Sequence, residues 1–178
     1  WAFGHERFVA AMNDRRYPLY FYWGPFGHAN NSSQIMKVND LIDSFDWLSV
    51  KKNEPYAAFT NGSTNSKLPW PDDLKSNEAG QVNAFFRYKN LSDTADKFEM
   101  SLFLADAESL KTRFTVPIEA TADVTLRRRQ SFQLTPGAKF NWTYGSAKGE
   151  GTVDELGRVT VPGLKISASP TTLSLAKP

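Results

Sequence analysis

The sequence predicts a mainly β protein: an antiparallel β-sandwich preceded by a short helix–strand–helix remnant of an α/β sheet. Three observations lead there. From about residue 50 onward, apolar residues recur with period two in short runs, the spacing that puts one face of a strand into a core. Turn-forming residues separate these runs, at Pro136-Gly137, Gly145-Ser146, Asp154-Glu155-Leu156-Gly157 and Pro162-Gly163. The first 45 residues follow another rule, with helical spacing on either side of a single unbroken apolar run. The expected division is residues 1–48 for the α/β remnant and 49–178 for the sandwich.

The amino-terminal elements come first. Residues 5–14 read as a helix, with Phe8, Val9 and Met12 on an apolar face and Ala10 and Ala11 favouring the conformation. Arg15-Arg16 suit its carboxyl end, where the helix dipole favours cations. Leu19 to Trp23 is a continuous apolar run closed by Gly24-Pro25, with Pro18 at its entrance, and reads as a strand buried on both faces. A loop carrying His28 follows, then a helix capped by Ser32 or Ser33 with Ile35, Val38, Ile42 and Phe45 on one side. Two helices cannot cover that strand alone. Sheet neighbours have to come from the sandwich, from a missing part of a parent protein, or from a second copy of the chain in a homo-oligomer.

The sandwich strands are read from alternating sets: Val82 to Tyr88, Phe98 to Leu104, Phe114 to Ile118, Val124 and Leu126, Phe140 to Tyr144, Val159 and Val161, Leu164 and Ile166, Leu173 and Leu175. Seven or eight short half-buried strands with no helix between them make a sandwich. Between Asn53 and Gly80 lies a polar stretch rich in Asn, Ser, Pro and Asp, read as a long loop.

Composition narrows the function. Hydrophobic residues make up 40% of the chain and aromatics 13%, enough for a sizeable core. A net charge of +2 from 21 basic and 19 acidic residues is too balanced for nucleic acid or an anionic membrane. There is no cysteine, so no disulfide framework and no thiolate metal site are expected; no metal and no cofactor are implied. No apolar run approaches the roughly 20 residues that span a bilayer. The chain opens at Trp1 inside sequence that already looks structured, which reads as a piece of a longer polypeptide.

His28 is the candidate for catalysis. Imidazole is the usual base for a serine nucleophile, and a loop just beyond a buried strand is where α/β folds place chemistry. His5, beside or within the first helix, reads as a polar edge residue, and Asp40 and Asp43 as solvated helix carboxylates. Arg127-Arg128-Arg129 reads as solvated strand positions, Arg127 and Arg129 on one face and Arg128 on the other, too few for a nucleic-acid stripe. Trp142 and Trp47 read as core. Trp70, between Pro69 and Pro71 in the polar stretch, is the candidate for stacking on a sugar. Asn-x-Ser/Thr strings at Asn30, Asn31, Asn61, Asn90 and Asn141 carry weight only in a eukaryotic secretory setting.

The run Trp1 to Met12 followed by Tyr22-Trp23-Gly24-Pro25-Phe26-Gly27-His28 resembles the carboxyl-terminal end of a bacterial α/β-hydrolase of the esterase or polyester-depolymerase-like type. Glu54 to Thr60, Gly80 to Ala84, Val124 to Phe132 and Leu156 to Gly163 resemble the β-rich extension of some bacterial members. The resemblance implies that His28 is the triad base and that the helix at 5–14 joins the last two strands of a hydrolase sheet. It further implies a secreted or periplasmic setting. These residues depart from the family in one respect: no Gly-x-Ser-x-Gly elbow occurs, the nearest string being Gly145-Ser146-Ala147-Lys148-Gly149 between β runs. The expected function is therefore part of a serine ester hydrolase that supplies the base and not the nucleophile, acting on an ester or polymeric substrate. Two alternatives stand beside it. One is a non-catalytic sandwich that binds polysaccharide; the other is a purely structural domain.

Overall fold

A computed structural model describes residues 3–19, 51–64, 85–106 and 117–178, with side chains of the first helix described from Arg7 onward. Those residues form one helix, α1 (Phe3–Asp14), and eight strands: β1 (Tyr56–Thr60), β2 (Phe86–Asp93), β3 (Lys97–Leu104), β4 (Glu119–Arg127), β5 (Lys139–Tyr144), β6 (Ala147–Thr152), β7 (Val159–Ser167) and β8 (Thr171–Ala176). All pairings are antiparallel. A three-stranded sheet runs β1-β4-β7 and a five-stranded sheet runs β2-β3-β8-β5-β6. The expected mainly β sandwich is present.

Period-two alternation does its work most clearly in β3, where Phe98, Met100, Leu102 and Leu104 are buried and the intervening residues face outward. Leu173 and Leu175 of β8 and Phe140 of β5 join them from the larger sheet. Ala120, Ala122, Val124, Leu126, Val159, Val161, Leu164 and Ile166 meet them from the smaller one. Phe59 of β1 stacks on Phe86 of β2, ring centroids 5.2 Å apart, and so joins the two sheets. Each large side chain fully buried in this way contributes about 1.5–3 kcal/mol against the ordering of the chain.

The turns carry out what their residues dictate. Thr135-Pro136-Gly137-Ala138 closes with Ala138 N–H donating to Thr135 O at 3.0 Å; Gly137 takes φ +81°, as the third position of a type II turn requires. Gly145 at φ +59° opens the two-residue β5–β6 hairpin.

Four sequence expectations are corrected. Tyr56–Thr60 is a strand, although it falls within the stretch read as loop; Ala57 and Phe59 face the core. Pro162-Gly163 is not a turn between two strands. It is a bulge inside the single strand β7, where the register slips between Ala122↔Leu164 and Val124↔Val161. Phe8 is 55% exposed, so the buried contact of α1 is Val9.

The fourth is β6, Ala-Lys-Gly-Glu-Gly-Thr, which has almost no strand propensity of its own. Aromatic rings from β5 make up for its missing side chains. Gly149 faces Trp142 and Gly151 faces Phe140 across the pairing, and each ring lies where a Cβ would go. A Cβ on Gly151 would stand 2.2 Å from the Phe140 ring, and one on Gly149 2.7 Å from the Trp142 ring. Phe140 is fully buried and cannot swing away, whereas Trp142 is only half-buried. Gly151→Ala is therefore expected to lose ~2 kcal/mol by overpacking and Gly149→Ala about half of that. Urea denaturation of the two variants checks the ranking, which equal midpoints would contradict.

The strand expected from Leu19 to Trp23 has only Leu19 among the described residues. The helix expected over 32–45 and the alternating sets at 82–84 and 114–116 lie outside them.

Candidate functional site

Neither His28 nor Trp70 lies among the described residues, and Asp40, Asp43 and Trp47 are outside them too. His5 falls within α1. What the described residues bring together is a polar joint between α1 and the outer face of the smaller sheet.

The joint starts from the way α1 ends. Arg16 N–H donates to Asn13 O at 2.9 Å and Tyr17 N–H to Met12 O at 3.0 Å, the paired bonds of a Schellman cap. That cap requires the left-handed conformation, and Arg16 adopts it at φ 56°. Glycine would do so without strain; an arginine pays ~1 kcal/mol. The side chain supplies the reason. Its guanidinium donates to Thr60 Oγ1 at 3.0 Å and forms an ion pair with Asp123.

Asp123 is set by the β7 bulge. Opposite it Pro162 has no N–H and Gly163 N–H is turned out of the ladder, donating instead to Asp123 Oδ1 at 2.9 Å. Asn61 Nδ2 donates to Oδ2 at 2.8 Å, and Asn61 N–H reaches back to Asn13 Oδ1 at 3.3 Å. Buried to 9% exposure, the carboxylate thus has an ionic partner and two further donors. Around it the outer face of the sheet is closed. Ala58 and Thr125 are fully buried, Thr60 nearly so, and the hydroxyls of Thr125 and Thr160 bond across β4–β7 at 2.9 Å. Chemically the joint is structural: both oxygens of Asp123 accept from the fold, Oδ2 from Arg16 and Asn61 and Oδ1 from Gly163.

Two other carboxylates are used in the same way. Asp93, at the end of β2, accepts from the backbone N–H groups of Gln130, Ser131 and Phe132 at 2.5, 3.2 and 2.6 Å and ties the β4–β5 loop to the larger sheet. Arg129 turns inward beside it, donating to Phe132 O at 2.9 Å and Gly157 O at 2.8 Å. Burial pulls its guanidinium below the ordinary arginine value, with Asp93 pulling it back up. The expectation of three solvated strand arginines is corrected accordingly. Arg129 is half-buried and structural, Arg128 lies beyond the end of β4 at φ 52°, and Arg127 is the last strand residue.

Asp154 holds the turn before β7, accepting from Leu156 N–H at 3.0 Å and from Arg158 N–H and Nε at 2.8 and 2.5 Å. Burial pushes its carboxyl up. The Arg158 bonds and charge, with the Leu156 N–H, outweigh that and hold it below 3.8. A depressed carboxylate stabilises the fold fully above its unfolded pKa, and that contribution is lost as pH falls through the folded one. Asp154→Asn should therefore lower stability at pH 6 and lower it less at pH 3, where the wild-type carboxylate has begun to lose its advantage. Urea midpoints at the two values check this; an equal loss at both would contradict it.

Among the described residues no three of His, Cys, Asp and Glu gather as metal ligands. Three aromatic rings among the described residues already carry a cation. Arg127 lies over Tyr17 at 4.6 Å, Arg128 over Tyr56 at 5.0 Å and Lys89 over Phe103 at 5.1 Å, so a cation already occupies one face of each ring. Trp142 packs against the core. Sequence reasoning missed the joint because Arg16, Asn61 and Asp123 are far apart in the chain. The one local signal was Arg-Arg directly after a helix, read only as a dipole effect. No protein-family profile, no curated protein and no solved structure matches this chain.

Proposed function

We propose that residues 1–178 are the carboxyl-terminal part of a serine hydrolase of carboxylic esters, the sandwich being a non-catalytic layer fixed to the unit that carries His28. The observation that carries this reading is the structural joint. Arg16 locks the end of α1 to β1 and β4 shortly before the segment that leads to Gly24-Pro25-Phe26-Gly27-His28. The buried Asp123 serves α1 and the β7 bulge, and the half-buried Asp93 serves the β4–β5 loop. His28 would take the proton of a serine and return it to the leaving alcohol. The serine and the acid that orients the imidazole would be supplied from outside positions 1–178, since no nucleophile elbow occurs within them.

The parent protein is the material for the test. It should hydrolyse p-nitrophenyl esters and be labelled by a fluorophosphonate on one serine outside these residues. Labelling of no serine, or of one inside the sandwich, would reject the reading. The alternative, a polysaccharide-binding module using Trp70, draws support from the sandwich architecture and from the Pro69-Trp70-Pro71 setting. A pull-down on insoluble cellulose or xylan separates it, because only that reading has retention depend on Trp70.

A further inference from the structure

We propose that the end of the smaller sheet formed by Lys51, Lys52, Arg127 and Arg128 binds a carboxylated polysaccharide, a chain of uronate residues. This holds whether or not His28 is a catalytic base. Arg127 closes β4 opposite Tyr56 of β1. Arg128 follows it and donates to Lys51 O at 3.0 Å, which brings the two lysines to the same end. Among the described residues, Lys51 alone of these four cations has a carboxylate partner, the exposed Glu54 at 3.5 Å. Like charges gathered without counter-charge repel one another, so the arrangement favours an anion from outside.

Arg128 sharpens the point by contrast with Arg16. Both arginines hold the left-handed conformation, at φ 52° and 56°. Arg16 gains Asp123 in return. Arg128 gains a carbonyl and the face of Tyr56 and remains exposed, with no protein anion to account for an arginine there. Left-handed strain at an exposed arginine that has no carboxylate among the described residues points to a functional role.

The geometry selects among anions. Arg127, the last residue of β4, lies against the ring of Tyr17 just past α1, and Arg128 lies against Tyr56 of β1. A guanidinium stacked on a ring presents its N–H fork edgewise, the shape that grips a carboxylate with two bonds. Tyr17 remains 43% exposed, offering an apolar edge to the C–H face of a sugar. Four cations on a chain of net charge +2 are too few for a duplex or a lipid surface.

Salt elution of the chain from immobilised polygalacturonate tests this, with neutral xylan and duplex DNA as comparisons. R127Q/R128Q is set against K139Q/K148Q, which removes the same charge from exposed positions on β5 and β6. Wild type and K139Q/K148Q should be retained alike, and R127Q/R128Q should elute at lower salt with Kd raised about tenfold or more. If the arginine variant loses its native circular dichroism, K51Q/K52Q carries the same expectation. Equal loss in both charge-matched pairs would reduce the effect to ion exchange and overturn the proposal. Unchanged retention of R127Q/R128Q, or tighter binding of wild type to DNA, would overturn it as well.

Discussion

His28→Gln in the parent protein should lower kcat for ester hydrolysis by about a thousandfold or more, with KM little changed and folding intact. The size follows from what imidazole does on the proposed reading. With an unperturbed pKa of about 6.5 it accepts the serine proton near neutrality and gives it up again to the leaving alcohol. Glutamine fills a similar volume and can hold a hydrogen bond, but it cannot carry that proton. Substrate binding and any oxyanion stabilisation would remain, so the loss falls on kcat. The acidic limb of the kcat/KM profile should vanish with it. The second of the two histidines, His5, belongs to α1. A variant that turned over at the wild-type rate, or that lost activity only in step with its thermal midpoint, would remove His28 from the mechanism.

The fold was readable wherever one face of a strand is apolar. β3 announces itself through Phe98, Met100, Leu102 and Leu104, and β5 and β8 do so nearly as plainly. What stayed hidden depends on a partner distant in sequence. β6 is a strand because Phe140 and Trp142 cover its glycines, and nothing in Ala147–Thr152 says so. β1 sits in polar surroundings and has small alanines on both faces, legible only once the sheet has a second layer. β7 looked broken because Pro162-Gly163 usually ends a strand; here the bulge releases one N–H and Asp123 takes it. The joint was invisible for the same reason. Arg16 and Asp123 are 107 positions apart, and period alone gives no hint that an outward residue of β4 will be buried. His28 and Trp70 are sequence readings, lying outside the described residues.

Asp123→Ala should cost ~2 kcal/mol of unfolding free energy, a fall of about 6 °C in Tm for a chain of this length. The substitution takes one acceptor from three donors. Gly163 and Asn61 are exposed residues, so water can take up the N–H groups that Asp123 releases, and each lost bond costs about 0.5–1 kcal/mol. Arg16 loses its counter-charge too, although its side chain is 26% exposed and water offsets part of that loss. The figure therefore sits below the range for breaking a fully buried pair. Asp123→Asn keeps an acceptor for Gly163 N–H and should cost about a third as much. Arg16→Gly gives up the ion pair but relieves the left-handed strain, so it should fall between the two. Because Arg16 and Asp123 act on each other, the double variant Arg16→Met/Asp123→Ala should lose less than the sum of its single changes, by about 1–2 kcal/mol. Location matters as much as size. Amide exchange should accelerate in α1 and at Asn61 well before it does in β3 and β8, whose burial does not involve the joint. Strict additivity, or loss of protection spread evenly through both sheets, would mean that α1 is held to the sandwich by something other than this carboxylate.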